Sequence, residues 1–187
     1  MNIPNTLTLL RIVMIPVLVL VFYLPVDWHF FGACAIFSTA ALTDLLDGYL
    51  ARRLNQISQL GEFLDPVADK LMVAVVLVLL VQADPHVWLA LPAAVIVGRE
   101  ITVSALREWM AELGARSKVA VSIYGKVKTI AQMVALMLLL FREPVLGLPV
   151  CQIGIALLYV AALLTLISLY QYLVSAWPKL RETTLKQ

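Results

Sequence analysis

Charge is scarce in this chain: 12 acidic and 14 basic residues make up 14% of its 187 positions, against 62% hydrophobic. With a mean hydropathy of +0.93, that balance excludes an ordinary soluble domain, in which about a quarter of the residues are charged. A net charge of +2 and the lack of any basic tract with interleaved aromatics argue against nucleic acid as a partner. Cysteine and histidine are nearly missing, two of each. Cys34 and Cys151 stand in separate apolar runs on no metal-ligand spacing and read as reduced packing residues. His29 and His86 fall at the ends of apolar runs, away from the acids discussed below. No Cys or Ser nucleophile with a base, and no glycine-rich nucleotide loop of the Walker or Rossmann kind, is visible.

What the chain has instead is apolar length. Windows of about 20 residues, enough to cross a hydrocarbon core of about 30 Å, predict six transmembrane helices over 5–24, 28–52, 62–82, 86–112, 118–141 and 149–176. Turn chemistry separates them: Pro25 with Asp27, the stretch from Arg52 to Gln56, Asp84-Pro85, Gly114 to Ser117, and Glu143-Pro144 with Gly147-Leu148-Pro149. No composition shift, linker or repeat divides the chain, so residues 1–187 read as one all-α, polytopic membrane domain. The first span carries Arg11 inside and no small-residue cleavage site before Asp27, so it reads as retained. Arg11, Arg52, Arg53, Arg116, Lys118, Lys179, Arg181 and Lys186 fall at ends that share a side. The opposite ends hold Arg142 with Asp27, Asp84 and Glu143. The positive-inside rule then places both termini in the cytoplasm, and Trp28 and Trp88 at one interface with Trp109 and Trp177 at the other fit an aromatic belt.

Against this background four carboxylates stand out, Asp44 and Asp47 before the second loop and Asp65 and Asp69 after it. Each costs about 2.5–3.5 kcal/mol within a span. If helix 2 leaves the membrane at Arg52 and helix 3 enters at Gly61, the helical rise puts Asp47 and Asp65 about 6–8 Å deep and Asp44 and Asp69 about 12 Å deep. Spacings of three and four place each pair on one helix face. A short loop makes the two helices antiparallel neighbours, with Asp47 opposite Asp65 and Asp44 opposite Asp69. Unpaired acids so close would repel and take up protons. A hard divalent cation with oxygen ligands, Mg²⁺ first, would hold them ionised, and a metal there suits phosphoryl transfer. Gly48 and Gly61 would let a nucleotide approach the backbone, Ala51 keeps the next turn low, and Arg52 offers a planar fork for phosphate. Taken alone, these small residues would equally serve close helix packing.

The string Asp44-x-x-Asp47-Gly48-x-x-Ala51-Arg52, eight residues, Gly61-x-x-x-Asp65-x-x-x-Asp69 resembles the motif of the CDP-alcohol phosphotransferases at every defined position. The likeness extends to Asn2 through Arg11, Arg99-Glu100-Ile101, Arg107 through Gly114 and Gly125-Lys126-Val127-Lys128-Thr129, which are similar to the bacterial branch with glycerol 3-phosphate as acceptor. The resemblance implies an enzyme of the bacterial cytoplasmic (inner) membrane whose site faces the cytoplasm. It implies CDP-diacylglycerol as donor and two Mg²⁺ or Mn²⁺ ions on Asp44, Asp47, Asp65 and Asp69. Gly48, Ala51, Arg52 and Gly61 would line the CDP pocket, and Asn5 and Thr8 would contact the cytidine or ribose, although Pro4-Asn5-Thr6 also reads as a helix start. Asp69 would be the general base that takes the proton of the acceptor's 1-hydroxyl, and the family implies a homodimer.

A phosphorylated acceptor needs cations beside the acids. Arg107, Lys126 and Lys128 lie level with the acid pairs and Arg99 lies deeper, so these four are assigned to the acceptor phosphate. Lys128 would alternatively reach the headgroups, and Arg99 would alternatively only neutralise Glu100 or an aspartate. Lys70 reads as interfacial, and Arg11 needs an aspartate or a substrate phosphate as partner. The motif reads only the CDP half, so serine and inositol phosphate stay open as acceptors. An intramembrane prenyltransferase shares the aspartate pairs but has a longer chain and lacks the Gly-x-x-Ala-Arg continuation. A metal or ion transporter would show repeats or broken helices around a midplane site.

Overall fold

The computed structural model describes residues 3–54, 59–112, 123–144 and 147–184. Six helices account for nearly all of them: α1 (Ile3–Phe22), α2 (His29–Leu54), α3 (Gln59–Ala83), α4 (Val87–Glu112), α5 (Ile123–Phe141) and α6 (Val150–Thr184). No β-strand occurs among the described residues. The predicted loop at 114–117, the start of the fifth predicted span and residues 55–58 of the second loop lie outside the described residues. Helix α1 begins at Ile3, so Asn5 stands within its first turn and does not cap it.

The helix ends follow the expected punctuation. After α1, Val26 N donates to Leu24 O at 2.9 Å in a tight turn around Pro25. Before α4, His86 N donates to Asp84 O at 2.8 Å across Pro85. At the end of α5, Arg142 takes a left-handed backbone conformation with φ 60, which costs a non-glycine residue about 1–2 kcal/mol. Its guanidinium lies 3.9 Å from the centre of the Phe30 ring, and that contact offsets part of the cost.

The core is apolar and continuous. Leu18, Phe37, Leu77, Ile96, Leu136 and Leu158, one from each helix, are fully buried. The most extensive contact is between α5 and α6, followed by α1 with α2, α4 with α6 and α1 with α3. Among the described residues, α2 and α3 make the smallest contact of the contacting pairs. The second and third helices are thus in contact, as their short connection implies, with α1 packed along both, and the two share the lining of one cavity.

Large apolar side chains also stand on the outer surface. Leu20, Phe31, Val78, Ile101, Ile130 and Leu163, again one per helix, are each about 60% exposed or more, the distribution expected of a bundle surrounded by hydrocarbon. Two helical stretches among the described residues, Val87–Met110 and Val150–Val174, are long and apolar enough to cross a membrane by themselves. The apolar stretches in α1 and α5, Thr6–Phe22 and Val127–Phe141, are shorter, and α2 and α3 carry the aspartates within their length.

Glycine has a structural task at Gly154, where an added Cβ would lie 2.9 Å from Leu139 Cγ and 3.3 Å from Leu138 Cβ. At Gly98 an added Cβ would meet nothing within 4 Å. Gly154→Ala is therefore expected to lower stability by about 1–3 kcal/mol through the α5–α6 contact, and Gly98→Ala to raise it by about 0.5–1 kcal/mol through helix propensity. Thermal unfolding of the two variants in detergent should shift in opposite directions.

Candidate active site

One cavity of about 450 Å³ gathers most of the polar side chains that the bundle buries. Helical periodicity explains the convergence. On α2, Ala40, Ala41 and Asp44 share a face; on α3, Asp65, Asp69, Met72 and Val73 do; on α5, Lys128, Thr129, Gln132 and Met133 do. Arg11 enters from α1, and Arg99, Glu100 and Arg107 from α4.

The acidic wall is built on α1, α2 and α3. Arg11 is 1% exposed, and its Nη1 lies 2.9 Å from Asp44 Oδ1 and 2.6 Å from Asp69 Oδ1. A single guanidinium nitrogen thus holds the first and the last of the four aspartates together. Thr8, one helical turn before Arg11 and also buried, donates its hydroxyl to Asp65 Oδ1. The partner that Arg11 needed is therefore a pair of aspartates, and Thr8 orients a third. Asp44 and Asp69 keep 36% and 46% of their side-chain surface exposed, so both present oxygens to the cavity while bound to Arg11.

The basic wall is built on α3, α4 and α5. Lys128 is buried, and its Nζ lies 2.6 Å from Glu100 Oε1, the atom that also accepts from Arg99 Nη1 at 2.9 Å. Arg99 Nη2 reaches Ser168 Oγ on α6 at 2.9 Å, while its Nε is buried with no hydrogen-bond partner among the described residues. Lys128 therefore turns inward to the cavity and not outward to headgroups. Arg99 pairs with Glu100, as its alternative reading allowed, and lines the cavity as well. Arg107 lines the same cavity without an ion pair to any described residue.

Sequence reasoning missed two members of this wall. Lys70 is not interfacial: it lines the cavity and its Nζ donates to Ser104 Oγ on α4 at 2.5 Å. A helix turns by about 100° between Asp69 and Lys70, which carries the lysine's long stem from the α2-facing side to the α4-facing side of the same cavity. Gln132 is the second, a buried amide one turn after Lys128. An amide at that spacing within an apolar run was the signal for it.

The structure thus brings Asp44, Asp65, Asp69, Arg99, Arg107 and Lys128 to one cavity. Gly61 is buried on α3 one turn before Asp65. Asp47, Gly48, Ala51 and Arg52 belong to α2, Asn5 to α1 and Lys126 to α5 by their backbone; the surroundings of these six side chains lie outside the described residues. Carboxylate oxygens directed into a common space are the donor set of a hard divalent ion, and the described acids fit one in chemistry. No three His, Cys, Asp or Glu among the described residues stand close enough to enclose an ion by themselves.

Acids and cations that line one cavity, carried by the aspartate motif, are accompanied by a match over nearly the whole chain: the sequence model of the CDP-alcohol phosphatidyltransferases fits residues 1–172. The chain belongs to that family. Members of the family generally use divalent metal ions. Among its relatives, a Pseudomonas fluorescens protein is 57% identical over 182 residues, covering 97% of this chain and 93% of the relative. Proteins of Escherichia coli strain K12 and Shigella flexneri are each 58% identical over 175 residues, covering 94% of both chains. All three carry the name CDP-diacylglycerol–glycerol-3-phosphate 3-phosphatidyltransferase.

Arg11→Met would leave Asp44 and Asp69 without their shared cation. The expected loss of stability is about 1–3 kcal/mol, below the figure for a fully buried pair because the two acids are partly exposed. Arg11→Lys should recover only part of it, since an ammonium lacks the planar fork. Thermal unfolding of both variants in one detergent checks the order wild type, Lys, Met.

Proposed function

We propose that the chain transfers the phosphatidyl group of CDP-diacylglycerol to sn-glycerol 3-phosphate, giving phosphatidylglycerophosphate and CMP, in anionic phospholipid biosynthesis. The observation that carries this reading is the two-walled cavity: carboxylates on α2 and α3 face cations on α3, α4 and α5 across about 450 Å³, in a family member whose relatives bear that activity's name. A donor with a diphosphate and an acceptor with a phosphate dianion require both walls. A serine acceptor would leave the basic one without purpose.

Six spans with both termini in the cytoplasm, in a bacterial inner membrane, would place the cavity toward the cytoplasmic surface, where CDP-diacylglycerol arrives from the bilayer and glycerol 3-phosphate from solution. Asp44, Asp47, Asp65 and Asp69 would hold Mg²⁺ or Mn²⁺, two ions, which neutralise charge on the diphosphate as CMP departs. Gly48, Ala51, Arg52 and Gly61 would receive the CDP moiety, with Asn5 and Thr8 near the cytidine. Thr8 also orients Asp65 through its hydroxyl. Arg107, Lys126, Lys128 and Arg99 would bind the acceptor phosphate; Arg107 makes no ion pair with any described residue.

Asp69 would accept the proton. Its carboxylate is held by Arg11 on one oxygen and stays accessible from the cavity. The acceptor's 1-hydroxyl gives its proton to Asp69, its oxygen forms the new bond to the phosphorus that bears diacylglycerol, and the bond from that phosphorus to the CMP oxygen breaks. Arg11 then keeps the aspartate oriented rather than leaving it to rotate, which general-base catalysis requires. By resemblance the working unit would be a homodimer.

Purified protein with Mg²⁺ and CDP-diacylglycerol should release CMP when glycerol 3-phosphate is added, and not with serine or inositol phosphate. CMP release that does not depend on glycerol 3-phosphate, or its absence, would overturn the reading. Asp69→Asn should lower turnover by about 10²–10⁴-fold, the usual contribution of a positioned base, while Mn²⁺ binding, read by the paramagnetic signal of the bound ion, is partly kept.

A further inference from the structure

Of the acids that line the cavity, Glu100 is the one the proposed reaction does not use, and it stands on the basic wall. Its Oε1 is a single acceptor for two cations, Lys128 Nζ at 2.6 Å and Arg99 Nη1 at 2.9 Å. All three side chains are largely buried, at 24%, 7% and 13% exposure for Glu100, Lys128 and Arg99. The same residue also organises the wall through its backbone: its carbonyl accepts from Ser104 Oγ at 2.7 Å, and that hydroxyl in turn receives Lys70 Nζ. Three cations from α3, α4 and α5 are thereby gathered about one residue, and Ser168 ties Arg99 to α6.

Four cations around a cavity in an apolar bundle would repel one another if none were answered. Glu100 supplies one carboxylate where a phosphate dianion would supply two charges and three oxygens. We propose that Glu100 is the resident stand-in for the acceptor's phosphate, a positioning residue that holds Lys128 and Arg99 in place until a phosphate competes for them. The inference rests on the acceptor reading given above and deepens it. A phosphate dianion outbids a single carboxylate for two cations, whereas a neutral hydroxylated acceptor does not, so Glu100 makes the pocket selective for phosphorylated alcohols. The cost of displacing Glu100 is set against acceptor affinity, and the benefit is a basic wall already arranged.

The sign of one substitution separates this role from simple scaffolding. In Glu100→Gln the competitor loses its charge but keeps its shape. The KM for glycerol 3-phosphate is expected to fall about five- to tenfold, the difference between a charge-assisted and a neutral hydrogen bond to be broken, while kcat falls because Lys128 and Arg99 are less well fixed. Inorganic phosphate should likewise raise the unfolding temperature of the detergent-solubilised variant at lower concentration than it does for the wild type. Glu100→Asp, which withdraws the carboxylate by one methylene, should lower KM by about twofold and carries the same sign test if the Gln variant does not fold. A KM that rises or stays unchanged in both variants, with no gain in phosphate response, overturns the proposal. The wild-type assay keeps the two readings apart: a wild type inactive with glycerol 3-phosphate refutes the acceptor, whereas an active wild type with an unmoved KM in the variants refutes only the role of Glu100.

Discussion

The structure depends on one buried guanidinium. Arg11 sits on a helix that is otherwise almost entirely apolar, is 1% exposed, and binds Asp44 and Asp69 through the same nitrogen. Burying a charge without partners would cost several kcal/mol, and burying two acids side by side would be worse. Each makes the other tolerable. The consequence reaches the topology of the bundle: α1 lies against both α2 and α3, and both of those helices line the cavity.

The rest of the interior repeats that logic with the signs exchanged. On the far wall Lys128 and Arg99 meet on Glu100, and Lys70 is steadied by Ser104. Acids held by a cation face cations held by an acid, so neither wall needs a substrate in order to fold. Each wall nevertheless opens onto the cavity: Asp44 and Asp69 stay partly exposed on one side, and Arg107 lines the other. That is the condition for binding an ester of diphosphate and a phosphorylated alcohol side by side. It also explains the inverted distribution of polarity, with charges around the central cavity and leucine, valine and isoleucine outside, since the bilayer accepts what the cavity cannot.

Much of this was legible beforehand. The six helices follow from apolar length and from Pro, Gly and Asp at the breaks, because the turn residues there are incompatible with continuing a helix. The acids of α2 and α3 and the cations of α4 and α5 were legible as a site because charge inside an apolar run has no packing explanation. Lys70 was misplaced for a reason that spacing cannot repair. Adjacent residues on a helix point about 100° apart, and only the position of α4 shows that both directions open on one cavity. The partner of Arg11 was open between an aspartate and a substrate for a similar reason, since the choice depends on where α1 lies.

The chain alone therefore determined the helix count, the apolar exterior and the eight-residue motif, all of them properties of local spacing and of residue type. Only the tertiary structure decided which charges answer one another: Arg11 with Asp44 and Asp69, Thr8 with Asp65, Glu100 with Arg99 and Lys128. Except for Arg99 with its neighbour Glu100, these pairs join different helices. Coulomb attraction and hydrogen bonding act over a few ångströms, and that proximity comes from how the helices pack rather than from their order along the sequence.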